Sequence, residues 1–157
     1  MAESGGSEWA QRARRGLELG GHRAGGARGA VVDHLSRQDC CLSAQEIANQ
    51  LRAEGKGVGI ASVYRAIDLL HGMGLVQRVD VGEGGVRYEP VIPGGEHHHH
   101  VVCDSCGKVV AFEDVPLERA IDRLGRRLGH AVSGHEVVIR GTCPRCAGRR
   151  RPNRGTA

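Results

Sequence analysis

Apolar residues recur at three- and four-residue spacing through much of the first half of this chain, and the period then shortens to two. From Arg28 to Leu35 a stripe of Val31, Val32 and Leu35 predicts a first helix. Ser43-Ala44-Gln45-Glu46 reads as a capping box, in which the Ser43 hydroxyl satisfies a first-turn amide and Glu46 reaches back to the cap. Ile47, Ala48 and Leu51 form the buried face of that second helix, which stops in Glu54-Gly55-Lys56-Gly57. A third helix runs from about Ile60 to His71, with Val63, Ile67 and Leu70 on one face and Gly72 to Gly74 ending it. Leu75 to Val81 and Val86 to Val91 then alternate as strands around the turn Gly82-Glu83-Gly84-Gly85. Helix, helix-turn-helix and hairpin, in that order, make a winged helix. Pro93-Gly94-Gly95 is its natural hinge.

The second half is patterned differently. His100 to Cys103, Val109 to Phe112 and Glu136 to Arg140 read as strands, and Leu117, Ile121, Leu124 and Leu128 line one face of a helix between them. Strands around a single helix make a small α/β module with open edges, which a second subunit would cover. Residues 1 to about 20 are rich in Gly, Ser and charge and are expected to fray.

Composition narrows the picture. At 157 residues the chain is one ordinary domain or two small ones, and with 39% hydrophobic but only 3% aromatic residues its core must be built mostly from Val, Leu, Ala and Ile. Each half would be marginal alone, which favours metal staples and dimerisation. No apolar run approaches the ~20 residues that span a bilayer, and Met1 to Gly6 carries no apolar leader segment. A cytoplasmic protein with no membrane partner is expected, and in that compartment paired cysteines bind metal or do redox chemistry more often than they form structural disulfides. The net charge of +4 is compatible with nucleic acid without being diagnostic of it. Much of the excess lies near the ends, in Arg12, Arg14 and Arg15 and in Arg149, Arg150, Arg151 and Arg154.

The strongest chemistry is in the cysteines. Cys103 and Cys106 form one Cys-x2-Cys knuckle, and Cys143 and Cys146 form another. Two such pairs can close a tetrahedral thiolate cage around Zn2+, a structural site. Just upstream lie His97, His98, His99 and His100. Alternate residues of a strand face the same way, so His97 and His99 point to one side and His98 and His100 to the other. Imidazoles beside a closed cage indicate a second, open metal site, and one closed plus one exchangeable site points to a metal sensor.

These residues resemble the ferric uptake regulator family of metal-dependent repressors, which includes the zinc uptake regulators. The resemblance spans roughly Gly21 to Ala147. Gly59-Ile60-Ala61-Ser62-Val63-Tyr64-Arg65 looks like the family's recognition-helix signature. His97 to Lys108 looks like its histidine segment and first knuckle, and Gly141 to Cys146 like its closing knuckle. The histidine run leading into Val101-Val102-Cys103 is closest to zinc-type members.

The resemblance implies an α+β protein: an N-terminal winged helix-turn-helix DNA-binding domain and a small C-terminal α/β dimerisation domain with a structural four-cysteine zinc. In this chain the plan becomes a flexible arm (1–20), the winged-helix domain (21–92), the hinge (93–96), the metal-binding dimerisation domain (97–148) and a basic disordered tail (149–157). It further implies a homodimer that binds an operator in double-stranded DNA when loaded with metal.

Family likeness assigns His97, His99, Glu118 and His135 to an inter-domain metal site, and Cys41, Glu89, His98 and His100 to the regulatory one. Gln77 and Val91 stand near the positions where zinc regulators carry a hinge Asp and Cys. The regulatory metal is read as Zn2+, with Fe2+, Mn2+ and Ni2+ left open by the Glu89 carboxylate. For DNA, Ser62, Tyr64 and Arg65 face the major groove, with Arg23 and Arg28 as phosphate contacts.

Three rival readings stay open at this point. One is a peroxide sensor of the same family, with a thiol variant in which Cys41 lies beside Cys40. Another is a zinc enzyme using His98, His100 and Glu89. The last is a zinc-stapled interaction module with no DNA role.

Overall fold

A computed structural model describes residues 2–82, 85–92 and 98–148. The chain divides into two compact units, Met1–Gly95 and Glu96–Ala157.

The first unit begins with a helix that the sequence reading did not anticipate. α1 (Ala2–Leu19) is a continuous helix whose Trp9, Ala13 and Leu17 are fully buried. The expectation of a frayed arm over residues 1 to 20 is therefore corrected. Those three residues sit one helical turn apart, so they form a stripe, and that stripe packs into the shared core. Gly5, Gly6 and Gly16 of the same helix mask the pattern, yet one of them is needed for the packing. A Cβ on Gly6 would lie 2.1 Å from the carbonyl oxygen of Ser36, so only glycine lets α1 approach the end of the next helix. Trp9 Nε1–H donates to the Leu75 carbonyl at 2.7 Å, and the Arg12 guanidinium donates to the Val91 carbonyl.

α2 (Gly26–Leu35), α3 (Ala44–Ala53) and α4 (Ile60–Gly72) follow as expected from their apolar stripes. Ser43 and Glu46 do form the reciprocal capping box at the start of α3. Buried His34 ties α2 to α3 through Gln50 at 2.7 Å and Glu54 at 3.0 Å, so its ring nitrogens are satisfied. The wing is an antiparallel hairpin of β1 (Val76–Asp80) and β2 (Val86–Pro90), with Gln77 opposite Glu89.

The second unit is a three-stranded sheet with one main helix. β3 (His99–Cys103) is central, antiparallel to β4 (Val109–Phe112) and parallel to β5 (Val138–Gly141). α5 (Val115–Arg127) is capped by Asp114, and a short α6 (Pro144–Ala147) follows β5. The predicted apolar face of α5 exists, but within one chain it is only partly covered. Leu117 and Ile121 are half-buried, whereas Leu124 and Leu128 are exposed. On the sheet, Val110, Val101 and Ile139 stand in register across the three strands and are exposed too. His97 and the segment 93–96 lie outside the described residues, as does the basic tail from Arg149 onward.

Candidate metal centres and recognition helix

Cys103 ends β3, and the turn that follows returns through Gly107, whose φ of +70° suits glycine. Parallel pairing of Cys103 with Gly141 brings the end of β5 alongside, and Asp104 N–H donates to the Gly141 carbonyl at 2.9 Å. Cys143 and Cys146 are thereby delivered to the first knuckle. All four sulfurs lie within 4.8 Å of one another, and Cys106 Sγ is 3.9 Å from Cys143 Sγ. A tetrahedral ion with Zn–S bonds of about 2.3 Å has sulfur–sulfur edges of about 3.8 Å, so the set fits zinc.

Backbone amides prepare the sulfurs for a cation. The Cys143 N–H points at Cys103 Sγ from 3.3 Å, and with the Cys106 and Ser105 amides it pulls that thiol down to about 6. The Lys108 amide lowers Cys106 in the same way. Cys146, hydrogen-bonded to the Cys143 and Cys106 sulfurs, is pushed up to about 12. The cluster already favours thiolate at its first knuckle and shares its remaining protons, which a bound ion would displace.

A second donor set lies in the same unit. Asp114 caps α5 and places Glu118 in its first turn. Glu118 Oε1 meets Nε2 of buried His99 at 2.5 Å, and Oε2 meets His135 Nε2 at 3.0 Å. The two imidazoles stand 5.2 Å apart, centroid to centroid. Burial would raise the Glu118 carboxyl, but the hydrogen bonds from His99 and His135 outweigh it and hold it low. Three of the four residues assigned to the inter-domain site are thus together. His98 and His100, as the alternation requires, meet on the other side, with ring centroids 5.0 Å apart in a T-shaped contact.

The remaining regulatory candidates belong to the first unit. Leu42 and Tyr88 exchange both backbone hydrogen bonds in an isolated antiparallel bridge, which brings Cys41 beside Glu89. Both are buried. Gln77 Nε2 donates to Glu89 Oε1 at 2.5 Å. The Cys41 thiol is raised by its hydrogen bond with Cys40, by burial and by the Glu89 charge. Sequence reasoning missed Arg87, which donates to Glu46 at 2.8 Å and to the Cys41 carbonyl at 3.4 Å. Its place next to Tyr88 on β2 was visible, but its partners are more than 40 residues away in sequence.

On α4, Val63, Ala66, Ile67 and Leu70 face the core, leaving Tyr64 and Arg65 exposed and Ser62 half-buried. Arg65 approaches the Ser62 hydroxyl at 3.5 Å. Arg23 is exposed and Arg28 half-buried near the start of α2. A shallow cavity of about 540 Å³ runs past Gly25, Gly26, Lys56 and Ser62, and Lys56 is a further cation there that the sequence reading did not single out.

Comparison with known proteins agrees with these features. The family model described as the ferric uptake regulator family matches residues 20–140. The ferric uptake regulation protein of Bacillus subtilis is 33% identical over 118 residues, 74% of each chain. That of Helicobacter pylori is 29% identical over 136 residues, 87% of this chain and 89% of the relative. Among solved structures, the Helicobacter pylori ferric uptake regulator, described as having three functional metal binding sites, superposes with a TM-score of 0.78 at 27% identity, covering 90% of this chain and 93% of that one. The Vibrio cholerae regulator gives 0.74 at 26% identity, covering 83% and 98%. With a winged helix, a four-cysteine cluster and a family match across most of its length, this chain belongs to the ferric uptake regulator family of metal-responsive, DNA-binding transcriptional regulators.

Proposed function

We propose that this chain is a zinc-responsive, homodimeric repressor of metal-uptake genes that works in the cytoplasm, with Zn2+ in the four-cysteine site and a second, exchangeable ion held by Cys41, Glu89, His98 and His100. The observation that carries the zinc reading is the sulfur of Cys41 fixed beside the Glu89 carboxylate by the Leu42–Tyr88 bridge. A thiolate with imidazoles suits zinc better than iron or manganese. His97 joins His99, Glu118 and His135 in a third site. Three donor sets also accord with the three functional metal sites described for the Helicobacter pylori regulator.

When bound, the regulatory ion supplies directed bonds to side chains of both units. Cys41 and Glu89 are carried by the winged helix, and His98 and His100 by the second unit, so affinity for the ion depends on how the units are arranged. Shifting such an equilibrium from 1:99 to 99:1 takes about 5.5 kcal/mol of differential affinity. By linkage, DNA tightens metal by the factor that metal tightens DNA. Tyr64 and Arg65 on α4 read the major groove, Ser62 assists, and Arg23 and Arg28 meet phosphates. The exposed apolar row of Val110, Val101 and Ile139, with Leu124 and Leu128 of α5, supports burial against a second copy.

Iron or manganese is the second reading, favoured by the Glu89 carboxylate and by the ferric uptake regulators among the relatives. The test is a titration of the protein, with its structural zinc retained, by Zn2+, Fe2+, Mn2+ and Ni2+ without oxygen, following affinity for duplex DNA from its own promoter region. Zinc alone should raise affinity about tenfold or more, 1.4 kcal/mol, and Cys41→Ser and His98→Ala should abolish the gain. A response to another metal that ignores Cys41→Ser would overturn the zinc assignment. Tyr64→Ala and Arg65→Ala should weaken the metal-loaded complex, each by about 1–3 kcal/mol.

A further inference from the structure

Cys40 has no part in the site just proposed, yet its sulfur lies 3.9 Å from that of Cys41. Consecutive residues of an extended segment point to opposite faces. Here the chain bends at Asp39 and Cys40 before entering the Leu42–Tyr88 bridge, and the bend turns both sulfurs toward each other. The separation equals that of Cys106 and Cys143 in the four-cysteine cluster. It also matches the edge of about 3.8 Å expected for two thiolates on one tetrahedral ion with bonds of about 2.3 Å.

The backbone holds this spacing. Leu42 is locked to Tyr88 by two hydrogen bonds, the Cys41 carbonyl accepts from Arg87, and Ser43 caps α3. Cys41 is buried, whereas Cys40 keeps part of its surface in solvent, so an ion has a route to the pair. Two sulfurs on one ion select for thiophilic cations and against iron and manganese, which prefer oxygen and nitrogen donors.

We infer that Cys40 and Cys41 act together as a two-sulfur chelate for a thiophilic divalent cation of the zinc and cadmium kind, which makes Cys40 a metal ligand. The inference rests on the reading of Cys41 as a regulatory ligand and goes further in naming a second sulfur and the class of ion.

The test uses the full chain with its structural zinc in place and verified by metal analysis, without oxygen and with a non-thiol reductant. Added Co2+ and Cd2+ are followed by thiolate-to-metal charge-transfer absorbance, which grows with the number of sulfur ligands. Wild type should show the intensity of two sulfurs. Cys40→Ser and Cys41→Ser should each lose about half of it and weaken Cd2+ binding about tenfold or more, with far-UV circular dichroism unchanged. Cys40→Ala repeats the measurement without a hydroxyl that could substitute for the thiol. Unchanged absorbance and Cd2+ affinity in both Cys40 variants would overturn the chelate. DNA affinity measured in parallel separates the two readings. If metal still tightens DNA while Cys40 proves silent, the regulator stands and the chelate falls. If no metal tightens wild-type DNA binding while both cysteines contribute absorbance, the chelate stands and the regulatory assignment falls.

Discussion

Cys41 and Glu89 lie side by side because their neighbours, Leu42 and Tyr88, donate to each other's carbonyls at 3.0 and 2.8 Å. A short loop before α3 is thereby fused to the edge of the wing. The Arg87 guanidinium reinforces the junction by bonding both the Cys41 carbonyl and the Glu46 carboxylate of the capping box. Helix cap, wing and candidate ligands thus form one hydrogen-bonded unit.

That network makes stability depend on acid through Glu46. Burial would raise its carboxyl, but the Ser43 amide and hydroxyl and the Arg87 guanidinium outweigh burial and hold it below the ordinary carboxylate value. A lowered carboxyl contributes stability that is present above about pH 4.5, its unfolded value, and is lost as pH falls through the lower folded value. The side chain is 39% exposed, so solvent screening keeps the contribution to about 1 kcal/mol. In urea denaturation of the metal-free protein at pH 7, Glu46→Gln should cost about that much. The difference from wild type should shrink steadily as the pH is lowered below 4.5. A cost that does not change with pH would remove the charge from the explanation.

Trp9 anchors α1 through a fully buried ring and its bond to the Leu75 carbonyl. Trp9→Ala should destabilise the first unit by about 3–5 kcal/mol, the range for deleting a large buried aromatic. Trp9→Phe should recover most of the packing but lose the indole hydrogen bond, leaving a deficit of about 1 kcal/mol. Denaturation followed by circular dichroism measures both. Near-neutral values for Trp9→Ala would mean that α1 does not pack on the core in solution.

Among the described residues the second unit fully buries few apolar side chains, chiefly Val102 and Cys103, so zinc in the proposed four-cysteine site would carry much of its stability. Zinc bound to such cages in small peptides contributes about 10–16 kcal/mol, which is also folding free energy. Cys143→Ser should lower zinc content by one ion per chain and abolish the cooperative melting of the second unit, while the first unit, with its own core, still unfolds cooperatively. Metal analysis alongside calorimetry reads both effects. Retention of the second transition without that zinc would show that the cage is dispensable for folding.

Much of this protein follows from local spacing alone. The capping box at Ser43 and Glu46, the stripe of Val63, Ile67 and Leu70, the two cysteine knuckles and the alternation of the histidines are all encoded within a few residues. Short-range periodicity is enough to predict them. The gathering of the four cysteines was legible for the same reason: Cys-x2-Cys spacing keeps each pair of sulfurs close wherever the chain goes next.

What only the tertiary structure decided depends on residues far apart in sequence. Trp9, Ala13 and Leu17 look like part of a glycine-rich tail until Gly6 is seen against Ser36 and the indole against Leu75, 66 residues away. Cys40 reads as an ordinary neighbour of Cys41 until the backbone bends to bring the sulfurs together. Arg87 reads as a polar strand residue until it reaches Cys41 and Glu46. The physical reason is the same in each case. Periodicity records which face of an element is apolar, but the partner of that face, and the path of a loop between elements, are set by the packing of the whole unit.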